Sequence, residues 1–187
     1  MSHHLDGIAE SVAHKDPEAF DRLYERMSDR LFGFAFRFVS DPEDAQDAVQ
    51  QAFLELAQAT DHPTNGRSLE AWLFASLRYN CIDVLRSRSR RLEVPHEHVP
   101  DVDDEDHYDL GIDPSLEQAL TSLTPAQREL MHLKYVEGLD GQQIADIMGT
   151  NRVAVYAMSR RAERRLKNIL TRLDHSRSLQ RKGLKDD

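Results

Sequence analysis

The fold is decided by residues 123–166, which read LTPAQRELMHLKYVEGLDGQQIADIMGTNRVAVYAMSRRAERRL. A capping box at residues 124–127 opens a helical pattern that can end at Gly138. A short amphipathic segment, a turn at Gly149 and a last helix from about Asn151 follow. This order of elements predicts a helix-turn-helix at the end of a small trihelical unit.

The last helix of this unit has an apolar back and a cationic front. Residues 151–172 contain seven Lys or Arg residues and one acid, Glu163. The first turn would enter the major groove of DNA, where Asn151, Arg152 and Tyr156 can reach base edges, and the later arginines would hold phosphates. A solvated basic face on an ordinary bundle is the alternative. The turn and the short preceding helix favour DNA binding.

The rest of the chain also carries helix signals. The tripeptide Asp-Pro-Glu occurs at residues 16–18 and 41–43, and each copy offers an N-cap, a proline in the first turn and an acid. Ser68 can cap a third helix. Apolar residues recur at intervals of three and four after each start. We therefore expect an all-α protein with two small domains, an N-terminal helical bundle and a C-terminal helix-turn-helix.

Charge is distributed unequally along the chain. The 187 residues have a formal net charge of −9, and residues 92–113 alone hold nine acidic residues and no Lys or Arg. Residues 114–187 hold 13 basic and 9 acidic residues, a net of +4. We expect residues 92–113 to form a flexible acidic linker between the domains. A metal site in the His and Asp cluster at 96–109 is the alternative, and it lacks a defined ligand scaffold.

Several classes of protein are excluded by composition. The chain has no run of about 18 apolar residues, so we expect no membrane insertion. Its N-terminus lacks the basic and apolar regions of a secretory signal. The single cysteine, Cys81, cannot form an internal disulfide and indicates a reducing compartment. We expect a cytoplasmic protein without a metal site, a cofactor or catalytic residues.

Two helices of the N-terminal half have polar faces of different character. On the second helix, Asp44, Asp47, Gln51 and Glu55 follow one another at spacings of three, four and four. This stripe is either a solubilising face or a docking face for a partner helix. The third helix combines aromatic and cationic residues, a composition suited to unstacked single-stranded bases. For Trp72 alone, its place in the apolar stripe favours a core position.

The sequence resembles the extracytoplasmic-function sigma factors, the compact promoter-recognition subunits of bacterial RNA polymerase. Residues 44–54, DAQDAVQQAFL, are similar to the polymerase-docking motif of that family, and residues 72–86, WLFASLRYNCIDVLR, to its −10-reading helix. Residues 123–139, 143–149 and 161–166 are similar to its −35-reading domain. The two motif sets occur in the family's order, on either side of a linker.

The resemblance implies a transcription initiation factor that binds core RNA polymerase through the clamp helices and the flap, and promoter DNA at the −10 and −35 elements. It implies a monomer that is held inactive by an anti-sigma factor or another regulator. The resemblance places three sets of residues: Asp44, Asp47, Gln50, Gln51 and Phe53 in docking; Trp72, Arg78, Asn80, Asp83 and Arg86 at −10; and Asn151, Arg152, Tyr156, Ser159, Arg160 and Arg164 at −35.

This interpretation divides the chain into five parts. We expect an N-terminal tail at 1–15, a region 2-like domain at 16–91 and the acidic linker at 92–113. A region 4-like domain at 114–173 and a polar tail at 174–187 follow.

Two departures from the family pattern have functional meaning. Gln46 stands where the docking motif usually has Glu, which removes one negative charge; a phosphate on Thr60 is one way to restore it. The turn into the last helix reads Val153-Ala154-Val155 and lacks the family's DNA-contacting threonine, so the −35 sequence cannot be transferred from relatives.

Two other classes remain as alternatives. A dimeric helix-turn-helix regulator would bind duplex DNA without polymerase, but it leaves the acidic stripe and the basic-aromatic helix unexplained. A nucleic-acid enzyme would have to use the cluster at 96–109 with a metal ion.

Overall fold

The computed structural model describes residues 5–91 and 113–183, and within these ranges every regular element is an α-helix. The all-α prediction is confirmed. The helices are α1 (Asp6–Ala13), α2 (Pro17–Val39), α3 (Pro42–Gln58), α4 (Gly66–Arg91), α5 (Pro114–Thr121), α6 (Pro125–Tyr135), α7 (Gly141–Ile147) and α8 (Arg152–Gly183). The acidic linker and the cluster at 96–109 lie outside the described residues.

The N-terminal bundle consists of α1–α4, and its helix starts follow from local chemistry. Asp16 caps α2 through the N–H of Glu18, and Asp41 caps α3 through the N–H groups of Glu43 and Asp44. Helices α2, α3 and α4 pack against one another. Their core contains large side chains with almost no exposure to solvent, among them Leu23, Met27, Leu31, Phe34, Leu56, Phe74 and Leu77.

The structure corrects the expectation that residues 1–15 form a tail. Residues 6–13 form α1, which packs against α2 and α4. Leu5, Ile8, Ala9 and Val12 are buried in the same core as the rest of the bundle. Their spacing of three, one and three places them on one helical face, so α1 belongs to the N-terminal bundle.

The start of α4 also differs from the expected one. Ser68 does not cap this helix; instead, the side chain of Asn65 accepts a hydrogen bond from the N–H of Ser68 at 2.9 Å, and α4 begins at Gly66. The cap therefore lies three residues before the expected position, because Asn is as good an acceptor at this site as Ser.

The C-terminal bundle consists of α5–α8. The capping box predicted at α6 is present, with Thr124 and Gln127 each bonding the other's backbone. Asp140 and Gln143 form a second box at the start of α7. Helix α8 continues to Gly183, past residue 173, after which the polar tail was expected to begin.

The two bundles pack against each other and share one hydrophobic core. Arg30 of α2 lies between two buried carboxylates: its Nη1 is 2.9 Å from Glu70 Oε1, and its Nε is 2.9 Å from Glu137 Oε2. The ring centroids of Phe34 and His132 are 5.7 Å apart. The prediction of two domains did not include this direct contact between them.

Further polar contacts cross the same interface between α4 and the C-terminal bundle. Arg78 pairs with Glu129 at 2.6 Å, and Arg67 pairs with Asp140. Gln143 donates a hydrogen bond to the carbonyl oxygen of Arg67 at 3.1 Å. Helix α4 is therefore the central element of the molecule, and it contacts α2 and α3 on one side and α7 on another.

Candidate functional site

The docking face predicted on α3 is largely exposed. Asp47, Gln50 and Gln51 are open to solvent, and Gln51 donates a hydrogen bond to Glu55 at 3.1 Å. Asp44 is half-buried and forms an ion pair with Arg88 of α4. The free part of the face is therefore centred on Asp47, Gln50 and Gln51.

Phe53 occupies a different position from the other residues predicted for docking. Its side chain is buried, and its ring lies 4.9 Å from that of Tyr24 on α2. Leu54 is 54% exposed and lies near the centre of the exposed face, so this face is not purely polar. Sequence analysis left Leu54 out, because an apolar residue in an amphipathic helix is ordinarily assigned to the core.

The face of α4 predicted for −10 recognition is formed by residues spaced at seven, four and three. Trp72, Tyr79, Asp83 and Arg86 fall on one side of the helix at this spacing. Tyr79 is 62% exposed, Asp83 and Arg86 are exposed, and these last two form an ion pair at 3.4 Å. Tyr79 was missing from the predicted set, although its aromatic ring beside cations is the signal that indicates base stacking.

Trp72 and Asn80 are less accessible than the residues beside them. Trp72 is partly buried and packs against the core, so the preference for a core position is partly met. The amide nitrogen of Asn80 is buried and has no hydrogen-bond partner among the described residues.

Arg78 points away from this face and towards the C-terminal bundle. Its Nε donates a hydrogen bond to Glu129 Oε1 at 2.6 Å. Burial raises the pKa of Glu129, and the positive charge of Arg78 opposes that rise. In this arrangement Arg78 is not grouped with Trp72, Asp83 and Arg86.

The first turns of α8 present the predicted −35 residues to solvent. Arg152, Tyr156, Arg160 and Arg164 are all exposed. Asn151 is exposed too, but its Oδ1 accepts the N–H of Ala154 at 2.9 Å, so part of its side chain serves as the helix cap.

Ser159 does not share this exposure. It is 5% exposed, its hydroxyl donates to Glu163 at 2.8 Å, and it accepts from Lys134 Nζ at 2.8 Å. Hydrogen bonds from Lys134 and Ser159 lower the pKa of Glu163 to about 2. The expectation that Ser159 faces the −35 element does not fit this arrangement, because its hydroxyl joins α8 to α6.

One feature of α8 was not selected from sequence, and a second concerns the later arginines that are expected to hold phosphates. Val153 is 78% exposed beside Arg152, and it is an apolar group in the turn expected to meet base edges. Further along, an open groove is lined by Arg161, Arg164, Arg165, Asn168, Ile169 and Arg172, which extends the cationic surface beyond the first turns.

Other classes of site find little support in the described part of the chain. Residues 5–91 and 113–183 contain no group of three or more His, Cys, Asp or Glu placed to hold a metal ion. None of the described helices is long and apolar enough to cross a bilayer. Cys81 is buried, as expected, and burial raises the pKa of its thiol to about 12.

Comparison with known proteins finds matches to two separate stretches of the chain. Residues 23–91 match the family model for sigma-70 region 2, and residues 114–166 match that for sigma-70 region 4. The chain is 30% identical over 182 residues to the ECF RNA polymerase sigma factor SigK of Mycolicibacterium vanbaalenii, covering 89% of each chain.

Two solved structures share the fold. The first is CnrH in complex with the cytosolic domain of CnrY, with a TM-score of 0.61, 23% identity and coverage of 91% of this chain and 98% of that one. The second is the sigma factor RpoE of Bartonella quintana in complex with the anti-sigma factor NepR, with a TM-score of 0.59, 23% identity and coverage of 81% and 96%. The two matched regions and the similarity to SigK over nearly the whole length agree with the motifs, and the chain belongs to the extracytoplasmic-function sigma factors of the sigma-70 family, which direct transcription initiation by RNA polymerase.

Proposed function

We propose that this sigma factor binds core RNA polymerase through the exposed face of α3 and reads a promoter with two surfaces. Trp72, Tyr79, Asp83 and Arg86 of α4 would contact the −10 element. The exposed residues of the first turns of α8 would contact the −35 element: Asn151, Arg152, Tyr156, Arg160 and Arg164. The chemistry of RNA synthesis would belong entirely to the polymerase, without a cofactor in this chain.

The observation that carries the proposal is that one chain exposes two surfaces suited to DNA and a third that is acidic. The face of α4 combines the exposed Tyr79 with the exposed Arg86 and Arg90, which suits unstacked bases and their backbone. The front of α8 combines cations with groups that can reach base edges. The acidic face of α3 would repel DNA, so a protein partner is the better match for it.

Asp47 provides the direct test of polymerase docking. It is exposed on α3 and lacks the ion pair that holds Asp44 to Arg88. Asp47→Arg should abolish promoter-specific RNA in a reaction with core polymerase. The matched control is Asp21→Arg, which reverses an exposed acid on α2 and should leave transcription within about twofold of the unaltered protein.

The result also separates the proposal from its competitor. Promoter-specific RNA that depends on core polymerase supports the sigma-factor mechanism. Tight, sequence-specific binding to duplex DNA without polymerase, together with a dimer in solution, would instead support the helix-turn-helix regulator. Mapping the start sites of the RNA would identify both promoter elements.

Regulation by a second protein is part of the proposal. CnrH and RpoE were each solved with a partner, and the partner of RpoE is an anti-sigma factor. We expect an anti-sigma factor to bind this chain as well, which otherwise acts as a monomer in the cytoplasm with polymerase. A pull-down with the full-length chain, followed by inhibition of transcription by the captured protein, tests this.

In this proposal, the strength of polymerase docking depends on whether another negative group replaces the charge that Gln46 lacks. It is exposed on α3, where the family motif usually carries a glutamate, and Thr60 is exposed just beyond the end of the same helix. A phosphate on Thr60 would add negative charge at the C-terminal end of α3, the end opposite to Gln46. Thr60→Glu should then raise polymerase affinity over Thr60→Ala, and equal transcription by the two variants would exclude the idea.

A further inference from the structure

Helix α1 lies outside the part of the chain that matches sigma-70 region 2, which begins at residue 23. It is nevertheless an integral part of the N-terminal bundle, since Ile8, Ala9 and Val12 are buried against α2 and α4. Its position next to α4 raises the question of what it contributes to the helix that carries the proposed −10 residues.

Asp6 joins the first turn of α1 directly to the first residue of α4. Its Oδ1 accepts a hydrogen bond from the backbone N–H of Gly66 at 2.8 Å, across 60 residues of sequence. The approach is unusually close: a Cβ atom on Gly66 would lie 2.7 Å from the nitrogen of Asp6 and 2.7 Å from the carbonyl carbon of Leu5. Only glycine allows this contact, because any side chain at residue 66 would collide with backbone atoms.

The bond supplies what the start of α4 lacks. The first N–H groups of a helix have no partner within the helix, and a negative charge near them is favourable. Asn65 satisfies the N–H of Ser68, and Asp6 satisfies that of Gly66. Together the two side chains fix the point at which the loop after α3 turns into α4.

That loop also carries an unsatisfied group. Both ring nitrogens of His62 are buried, and neither has a hydrogen-bond partner among the described residues. The loop at 59–65 leads directly into α4, and we expect a base extruded from the −10 element to be held beside the start of this helix. Its geometry therefore bears on which bases can be accepted there.

We propose that Asp6 is a positioning residue for −10 recognition. Through Gly66 it holds the α3–α4 loop and the start of α4 in the geometry that discriminates between −10 sequences. This inference rests on the proposed function of α4 as the −10 reader. It assigns to α1, which lies outside the region 2 match, a role in promoter choice and not only in the stability of the bundle.

The test uses the full-length chain with core polymerase and a template library randomised over the −10 element, with the −35 element kept constant. Asp6→Ala removes the acceptor, Gly66→Ala forces the two backbones apart, and Asp6→Asn keeps an oxygen acceptor at the same place. We expect Asp6→Ala and Gly66→Ala to reduce the preference for the best −10 sequence by about tenfold, the effect of losing a hydrogen bond to a charged group. Asp6→Asn should remain within about threefold of the unaltered chain.

A second library, randomised over the −35 element, separates positioning from general damage. The −35 preference and the amount of polymerase complex should be unchanged in all three variants. The inference is overturned if Asp6→Ala keeps the −10 preference of the unaltered chain, or if it loses −10 and −35 preference, or polymerase binding, together. If the unaltered chain directs no promoter-specific RNA, the proposed function fails, and this inference fails with it.

If Gly66→Ala does not fold, as judged by circular dichroism, the comparison of Asp6→Ala with Asp6→Asn decides alone. Failure of Asp6→Ala to fold would show a structural role for this residue and would also overturn the inference.

Discussion

Replacing Arg30 by Met should weaken the contact between the two bundles more than any replacement of an exposed arginine. Arg30 Nη1 and Nε each lie 2.9 Å from a carboxylate oxygen, of Glu70 and Glu137 respectively, and Arg30 Nη2 also donates to the carbonyl oxygen of Glu137 at 3.2 Å. The side chains of Glu70 and Glu137 are only 6% and 5% exposed. If the guanidinium is removed, both carboxylates stay buried and lose the cation that pairs with them.

The magnitude follows from burial. Breaking a buried ion pair by removing one partner costs about 3–5 kcal/mol. The side chain of Arg30 is 37% exposed, and solvent screening reduces that figure. We therefore expect the free energy of unfolding to fall by about 2 kcal/mol.

The pH dependence provides a second signature. Burial raises the pKa of Glu137, but the hydrogen bond from His132 and the charge of Arg30 outweigh burial and leave the pKa below its ordinary value. A carboxyl group with a lowered pKa contributes stability above its unfolded pKa and loses it as pH falls through the folded pKa. The difference between Arg30→Met and the unaltered chain should therefore be largest near neutral pH and shrink in acid.

Urea unfolding followed by the fluorescence of Trp72, the single tryptophan, measures the difference. The matched control is Arg22→Met on the same helix, where Arg22 pairs with Asp16 and Glu18 at 3.9 and 3.7 Å on the exposed surface. That variant should lie within about 0.5 kcal/mol of the unaltered chain. Equal stabilities for the two variants, or a difference that does not shrink in acid, would refute the reasoning.

Three further predictions concern single sites. Burial and the charge of Glu129 raise the pKa of the Cys81 thiol to about 12. Iodoacetamide should therefore label Cys81 in urea but hardly at all in the folded chain, and mass spectrometry measures the labelled fraction. Glu163→Gln should melt at a lower temperature than the unaltered chain at neutral pH. This difference in melting temperature should disappear as pH falls towards 2, because the pKa of Glu163 lies near that value. Equal melting temperatures at pH 7 would contradict the prediction. Gly138→Ala should lower the free energy of unfolding in urea by about 1 kcal/mol, because Gly138 has a φ of +69°. Gly33→Ala, in the open middle of α2, should raise the free energy of unfolding. The opposite order of stability would contradict both predictions.

The helix starts could be predicted because the signals for them are local. The proline at residue 17 and the acid before it act within one turn, and so do Thr124 and Gln127 in the box at α6. Helix α1 was missed for the opposite reason. It has 8 residues and no side-chain cap of its own, so its stability comes from packing. The apolar pattern at residues 5, 8, 9 and 12 is too short to predict that packing.

The candidate sites could be predicted in part. Exposure on one helical face follows from periodicity, and Asp47, Asp83 and Arg152 lie on exposed faces as expected. Contacts between distant residues do not follow from periodicity. Arg78 and Glu129 are 51 residues apart, and Ser159 meets Lys134 of another helix, so the partners of these side chains depend on how the bundles pack.

The net charge of −9 does not oppose DNA binding, because charges act over short distances in salt. The Debye length is about 8–10 Å at physiological ionic strength, which is less than the length of α8. A DNA phosphate near α8 therefore experiences chiefly the seven Lys and Arg residues between 151 and 172, all of which are exposed. The nine acids of residues 92–113 affect that field only where they come within a Debye length of it. The local distribution of charge, and not its sum, is the property that decides which surface of this protein can meet DNA.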